Sequence, residues 1–312
     1  MENSTLIKLA KTANVRGQSR LTWLYEPIVF VYSIVSLLIV STIFGIPVLI
    51  YMFATYGEQT LELIEAPPTP GLALALLFSS FIGIYLAVWL WVRFIERRSY
   101  FTIGLQRKRA VWMYIRGLLI GVGLMMLNVG ILALLGMIDW QRPFTGLTGT
   151  VLAGIGMLLL GFIVQGAAEE VLVRGFLLPI LARKYSIWAS IAVTSTIFAA
   201  LHLLNPNLSA IAVLNLFLAG VFFAVYALKE GSIWGACGAH TTWNWTMGHL
   251  VGFEVSGQLM GGPDAILFDL VETGPDWITG GPFGLEGGVV VTAVIILGTV
   301  ICYLAPTNTE DV

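Results

Sequence analysis

Charge is scarce in this chain. Only 11% of the 312 residues are Asp, Glu, Lys or Arg, against about 25% in an ordinary soluble domain, and the mean hydropathy is +0.88. That scarcity excludes a solvated globular surface and points to a polytopic membrane protein, an all-α bundle of helices. Cysteine is nearly absent too. Cys237 and Cys302 both lie in apolar runs, which excludes a disulfide framework and a cysteine-based metal site. A net charge of −2 offers no basic excess to a nucleic-acid partner. There is no His-Glu-x-x-His helix and no Gly-x-Ser-x-Gly elbow, so those zinc and serine hydrolase chemistries are excluded. Residues 1–27 lack the short apolar core of a cleavable signal peptide, and the first span is expected to serve as the signal. No internal repeat or low-complexity run is present.

Apolar stretches of spanning length lie at 28–54, 71–92, 117–138, 149–182, 187–204, 210–228, 232–252 and 288–305, which predicts about eight transmembrane helices. The connections test that reading through the distribution of positive charge. Lys8, Lys11, Arg16 and Arg20, then seven basic residues between Arg93 and Arg116, then Arg183, Lys184 and Lys229 all fall on one side. The other side carries Glu58, Glu62 and Glu65, Asp139 with Arg142, and the 253–287 loop, which has six acidic residues and no Lys or Arg. Both termini are therefore expected in the cytoplasm, and the cell membrane is the expected location. The chain divides into a cytoplasmic segment (1–27), N-terminal helices with a basic loop (28–148), a chemistry-bearing block (149–252), an acidic outer loop (253–287) and a last helix with its tail (288–312). Trp23, Trp89, Trp91, Trp112, Trp140, Trp188 and Trp234 sit near predicted helix ends, as interfacial anchors do. The aromatic and basic segment 93–116 suits either an anionic lipid surface or a plain solvated loop. Gly117 with Gly121, and Gly231 with Gly235, read as sites of close helix packing.

Against this apolar background one stretch stands out. Glu169, Glu170 and Arg174 interrupt the 149–182 run, and a charge at the centre of a membrane helix costs about 2.5–3.5 kcal/mol. Glu170 and Arg174 are one helical turn apart and able to pair. Glu169 is rotated about 100° away and is left for another partner. Phe198 with His202, and His240 with Asn244, repeat the same spacing on two later helices. Measured from the basic end at 1.5 Å per residue, Glu169, His202, His240 and Asn244 lie at about 21, 24, 16 and 22 Å, so one shared cluster is geometrically allowed. Each residue also has a structural reading: the Glu170–Arg174 pair as a scaffold, His202 and the His240–Asn244 pair as interhelical hydrogen bonds. His249 lies nearer the outer end, lacks a polar residue one turn away, and reads as structural. Together Glu169, His202, His240 and Asn244 form a set able to activate water and hold an oxyanion.

The three motifs, Glu169-Glu170-x-x-x-Arg174, Phe198-x-x-x-His202 and His240-x-x-x-Asn244, resemble those of the CPBP intramembrane proteases. That family includes CAAX prenyl endopeptidases and bacterial bacteriocin-processing or self-immunity homologues. The resemblance covers roughly 150–250. It implies that Glu169 is the general base on a water positioned with His202, that His240 and Asn244 stabilise the oxyanion, and that Glu170, Arg174 and Phe198 support the site. It implies a membrane-associated peptide or lipidated protein as substrate, within the lipid bilayer. A zinc ion on Glu169, His202 and His240 is the alternative to a metal-free hydrolase. The sequence offers no further carboxylate to fix the histidine rings as a catalytic metal site requires, and no metal or other cofactor is expected. Two other functions compete: a proton relay or transporter, disfavoured by the missing repeats, and a proteolytically silent immunity or scaffold protein.

Overall fold

In a bilayer the backbone must satisfy its own hydrogen bonds, so apolar stretches become helices. The computed structural model describes residues 1, 4–11, 22–60, 67–142 and 147–306, and each of the eight apolar stretches is helical in it. Arg16, Arg20, Glu62, Glu65 and the side chain of Trp23 lie outside the described residues. After a short helix at Thr5–Lys11, the long elements are α1 (Thr22–Tyr56), α2 (Pro70–Leu90), α3 (Ala110–Leu134) and α4 (Gly149–Glu170). They are followed by α5 (Ile187–Ala200), α6 (Ala210–Glu230), α7 (Trp234–Trp245) and α8 (Val289–Leu304). Four of these helices start at a Ser or Thr cap: the hydroxyls of Thr69, Thr148, Ser186 and Ser209 accept from the backbone N–H three residues on. Wider π turns extend α2 (Trp91–Ile95), α4 (Val171–Leu177, followed by Leu178–Leu181) and α7 (Thr246–Leu250). The turn in α4 lies just before Pro179, which has no N–H to offer the preceding carbonyls.

The expected bundle of about eight membrane helices is present, with helices of unequal length. By length and composition, α1, α2, α3, α4 and α6 with their extensions suffice to cross a membrane. The 14 residues of α5 reach only about 21 Å, short of a core of about 30 Å. It ends at Ala200, before Asn205-Pro206-Asn207, so His202 lies in a turn and not on the helix. The first 12 residues of α7 have an exceptional environment: all of Gly235–Asn244 is buried, so this helix sees protein where the others see lipid. It packs mainly on α3 and α4, while α6 is flanked by α5 and α8, and α1 packs chiefly on α2. Small residues set the α3–α7 distance, since a methyl added to Gly117 would lie 2.1 Å from the Gly235 carbonyl oxygen and one on Gly121 2.3 Å from that of Ala239. Gly231 has a different role from the one expected: at φ 73° it ends α6 in the left-handed conformation.

The basic residues do gather at one end. Lys184 pairs with Glu26, Arg183 and Arg98 share buried Glu96 (2.6 Å each), and Arg116 pairs with Glu230. Arg98 is thus held inside the protein rather than spread on a leaflet, Arg116 is half-exposed while paired with buried Glu230, and Arg93, Arg97 and Arg107 are exposed. Trp91, expected as an interfacial anchor, is buried against Tyr25, Tyr32 and Phe176. Trp89, Trp112 and Trp188 are exposed near helix ends, and Trp140 is exposed at the end of a short strand. At the opposite end the 253–287 segment is folded onto the bundle. It adds two short strands to an otherwise helical protein, β1 (Ile138–Trp140) antiparallel to β2 (Leu270–Glu272), and Arg142 pairs there with Asp269.

Glu272 on β2 reports on that packing. Burial, reinforced by the charges of Glu254 and Asp276, pushes its carboxyl up to about 7, and one of its oxygens is buried without a partner. A carboxyl raised in the folded state holds a proton that the unfolded chain has released, so stability falls as pH rises from about 4.5 to about 7. Glu272→Gln is expected to raise the melting temperature at pH 8 by roughly 2–4 °C, on the order of 1 kcal/mol after discounting for solvent screening. At pH 5 it should change little, as thermal unfolding of the purified protein at the two pH values will read.

Candidate active site

The adjacent glutamates of α4 face different neighbours, as the 100° turn per residue requires. Glu170 is fully buried and its Oε1 is shared: Arg174 Nη1 donates to it at 2.8 Å, and His240 Nδ1 lies at 2.9 Å. A carboxylate can only accept, so the proton between them sits on Nδ1 and the Nε2 of His240 points elsewhere. It points at Glu169, whose Oε2 is 3.7 Å away and is buried with no hydrogen-bond partner. The other Glu169 oxygen accepts from Gln165 Nε2 at 2.7 Å, and the Gln165 carbonyl accepts from Asn244 Nδ2 at 2.9 Å. A continuous polar chain therefore links Asn244, Gln165, Glu169, His240, Glu170 and Arg174 across α4 and α7. The two helices come close enough for this at Gly166, where an added methyl would lie 2.9 Å from the backbone nitrogen of Thr241.

Aromatic rings enclose the buried charge. The Arg174 guanidinium lies 4.5 Å from the Phe198 ring centre and 5.3 Å from that of Phe223, and its Nη2 donates to the Gly220 carbonyl at 3.2 Å. Phe223 stacks on the His240 ring at 4.9 Å, and Phe198 touches both His240 and His202. His202 reaches the site from its turn, with Nδ1 at 2.8 Å from the Phe198 carbonyl. Glu169, His202, His240 and Asn244 all line one cavity of about 640 Å³, walled by α1, α2, α4, α5, α6 and α7. His249 is elsewhere: it is buried beside Phe162 and holds the Ala265 carbonyl at 2.8 Å.

Residues 150–246 match a family model described as type II CAAX prenyl endopeptidase Rce1-like. This stretch is similar to Rce1-like domains. No curated protein and no solved structure matches the chain. The matched stretch spans α4 to the end of α7 and so contains the whole polar chain. The family it resembles is described as one of prenyl endopeptidases. The first three helices, α8 and the 253–287 segment lie outside the match.

Two residues of the domain's polar and aromatic frame escaped the sequence reading. Gln165 left a signal, being a lone amide in an apolar run one turn before Glu169. Phe223 left none, because nothing in sequence separates it from Phe217 or Phe222. Contrary to the expectation that no carboxylate fixes a histidine ring, Glu170 does this for His240. Even so, among the described residues no three His, Cys, Asp or Glu side chains are placed to hold one ion. Glu169, His202 and His240 as arranged do not fit a three-ligand metal site, and no step is assigned to one.

Removing Arg174 would leave Glu170 buried with only His240 beside it, and breaking a buried pair costs about 3–5 kcal/mol. Arg174→Ala is expected to lower membrane abundance and the unfolding temperature in detergent together with any activity. Normal stability with no activity would place Arg174 in the chemistry.

Proposed function

We propose that the protein is an intramembrane endopeptidase that hydrolyses a peptide bond of a membrane-associated substrate, through a water activated by Glu169. The observation that carries this reading is the unpartnered Oε2 of Glu169, buried in the cavity wall and turned toward His240. A buried carboxylate oxygen without a partner is costly, and a site that keeps one has a use for it. In the proposed reaction Glu169 takes a proton from a water that His202 helps to position, and the water oxygen attacks the carbonyl carbon of the scissile bond. His240, carrying a proton on each ring nitrogen, and the second amide N–H of Asn244 receive the charge that develops on the carbonyl oxygen. Glu170 holds the His240 ring through Nδ1, Gln165 aligns Glu169 with Asn244, and Arg174 with Phe198 supports Glu170 and the rings around it. The proton held by Glu169 then passes to the leaving amine.

We further propose that the end bearing the clustered arginines and lysines faces the cytoplasm, with both termini there, in the cell membrane. A lipidated peptide of the CAAX type or a leader peptide suits a cavity whose α1 and α2 walls are mostly apolar.

Glu169→Gln should leave an inserted, folded protein with turnover reduced about 10²–10⁴-fold, while His249→Ala keeps its turnover per folded molecule. Comparing the peptides of membranes carrying wild type or Glu169→Gln supplies the readout. Identical peptide sets would favour a silent scaffold or immunity role instead. Metal independence has its own measurement: active purified protein is expected to contain well under one equivalent of zinc and to keep its activity in a chelator. About one zinc per chain, with activity lost on chelation and restored by zinc, would reverse that reading.

A further inference from the structure

The connection between α2 and α3 is fastened to the bundle along its inner side. The Gly104 carbonyl accepts from the Ser232 hydroxyl and the Ile233 N–H at 2.8 and 3.0 Å. Gln106 joins Gly231 and Trp234, at the turn from α6 to α7, through its side-chain N–H and its backbone carbonyl. Ile103 is wholly buried, and its carbonyl oxygen would lie 2.7 Å from a methyl added to Gly175, in the π turn that carries Arg174. Glu96, the only acid between 91 and 109, is buried under Arg98, Arg183 and Tyr25. A backbone held in this way fixes where its outward side chains stand.

Those side chains are of two kinds. Arg93, Arg97 and Arg107 are exposed and form no ion pair among the described residues. Beside them Phe94, Phe101 and, at the start of α3, Trp112 are 57, 44 and 61% exposed. The Arg107 guanidinium lies 4.8 Å from the Phe101 ring centre and that of Arg93 5.8 Å from Phe94, so cation and ring are presented together. Arg97 keeps its place in the left-handed conformation, at φ 53°, where glycine would be unstrained.

A plain solvated loop accounts for the arginines but not for three large rings beside water. Acyl chains account for the rings but not for guanidiniums stripped of water with no counter-charge. The border between headgroup and hydrocarbon satisfies both, and the connection lies at that level because α2 ends and α3 begins there. Phosphate oxygens match the planar guanidinium fork and bring the anion that this surface lacks.

We propose that residues 93–112 form a binding surface for anionic phospholipid, with the headgroup phosphate on Arg93, Arg97 and Arg107 and the first acyl methylenes on Phe94, Phe101 and Trp112. A zwitterionic lipid carries the same phosphate, but its own ammonium is repelled by the arginines, so the surface selects for net negative charge. Because the connection presses on Gly175, bound lipid also steadies the π turn of α4. Neither statement rests on the hydrolase reading or on which side of the membrane the basic end faces.

The test uses full-length protein in dodecyl maltoside, with phosphatidylglycerol and phosphatidylcholine of equal chain length added together in equal amounts. Native mass spectrometry should count phosphatidylglycerol bound about fivefold over phosphatidylcholine. The anionic lipid alone should raise the unfolding midpoint by several degrees, and phosphatidylcholine alone should not. Replacing Arg93, Arg97 and Arg107 together by Gln should abolish most of the preference and of the shift, whereas Arg142→Gln, at the opposite end of the bundle, should keep both. Glycerol phosphate, a headgroup without acyl chains, should not displace the lipid at equal concentration; displacement would make this a site for phosphate alone and overturn the lipid. Equal binding of the two lipids, the outcome expected if an acidic protein is the partner, overturns the proposal, as does a preference unchanged in the triple variant. Should that variant not accumulate, Arg93→Gln and Arg107→Gln are read singly, and a ratio lowered by neither is fatal.

Discussion

One carboxylate oxygen, Oε1 of Glu170, holds the centre of this molecule together. It is fully buried and faces Arg174 on its own helix and His240 on another. An unpaired charge at either Glu170 or Arg174 would be costly in low dielectric, and groups beyond the pair help to offset its desolvation. The Gly220 carbonyl takes a guanidinium N–H, and the faces of Phe198 and Phe223 replace water around the rest. The consequence reaches beyond stability. By accepting from His240 Nδ1, Glu170 settles which ring nitrogen faces Glu169, so the structural carboxylate prepares the environment of its neighbour.

That interaction requires α4 and α7 to approach closely, and the packing of α7 provides for it. A helix buried along Gly235–Asn244 cannot rely on lipid, so its position is set by the small residues that face it, Gly117 and Gly121 on α3 and Gly166 on α4. Individual interhelical hydrogen bonds in membranes are worth little, roughly 0.6 kcal/mol on average. Steric closeness is the stronger constraint, and the hydrogen bonds of Gln165, Asn244 and His240 are placed by it. The start of α7 is fixed by a further carboxylate: Glu230 accepts from the Gly235 N–H at 2.8 Å while pairing with Arg116 at the basic end.

Much of this was legible in the chain because an apolar background makes each polar residue costly and therefore informative. The helical bundle, the segregation of basic residues, the Glu170–Arg174 pair and the association of Glu169 with His240 and Asn244 all follow from that cost and from helical spacing. What was not legible depends on contacts between elements. A 3.6-residue period places His202 on a helix, but the chain breaks at Asn205-Pro206 and the ring reaches the site from a turn. Periodicity carries no trace of the π turn at 171–177 or of which phenylalanine stacks on His240. Trp91 has the composition of an interfacial anchor, and only the packing of Tyr25, Tyr32 and Phe176 around it shows otherwise.

The two ends of the bundle also differ in how they treat charge, and this bears on where chemistry can occur. At the basic end Glu96 and Glu230 are each matched by arginine, which consumes the local charge in fastening α1, α2, α4, α6 and the start of α3 to one another. At the other end Glu286 is held by neutral donors, and Glu169, deeper in the same cavity, keeps an oxygen unpartnered. Matched charges make a rigid, closed cap; unmatched ones, placed around a cavity, keep their field for a ligand. Arginine thus matches the buried carboxylates of one end, whereas the cavity is lined by Glu169 and Glu286, which no Lys or Arg among the described residues pairs with.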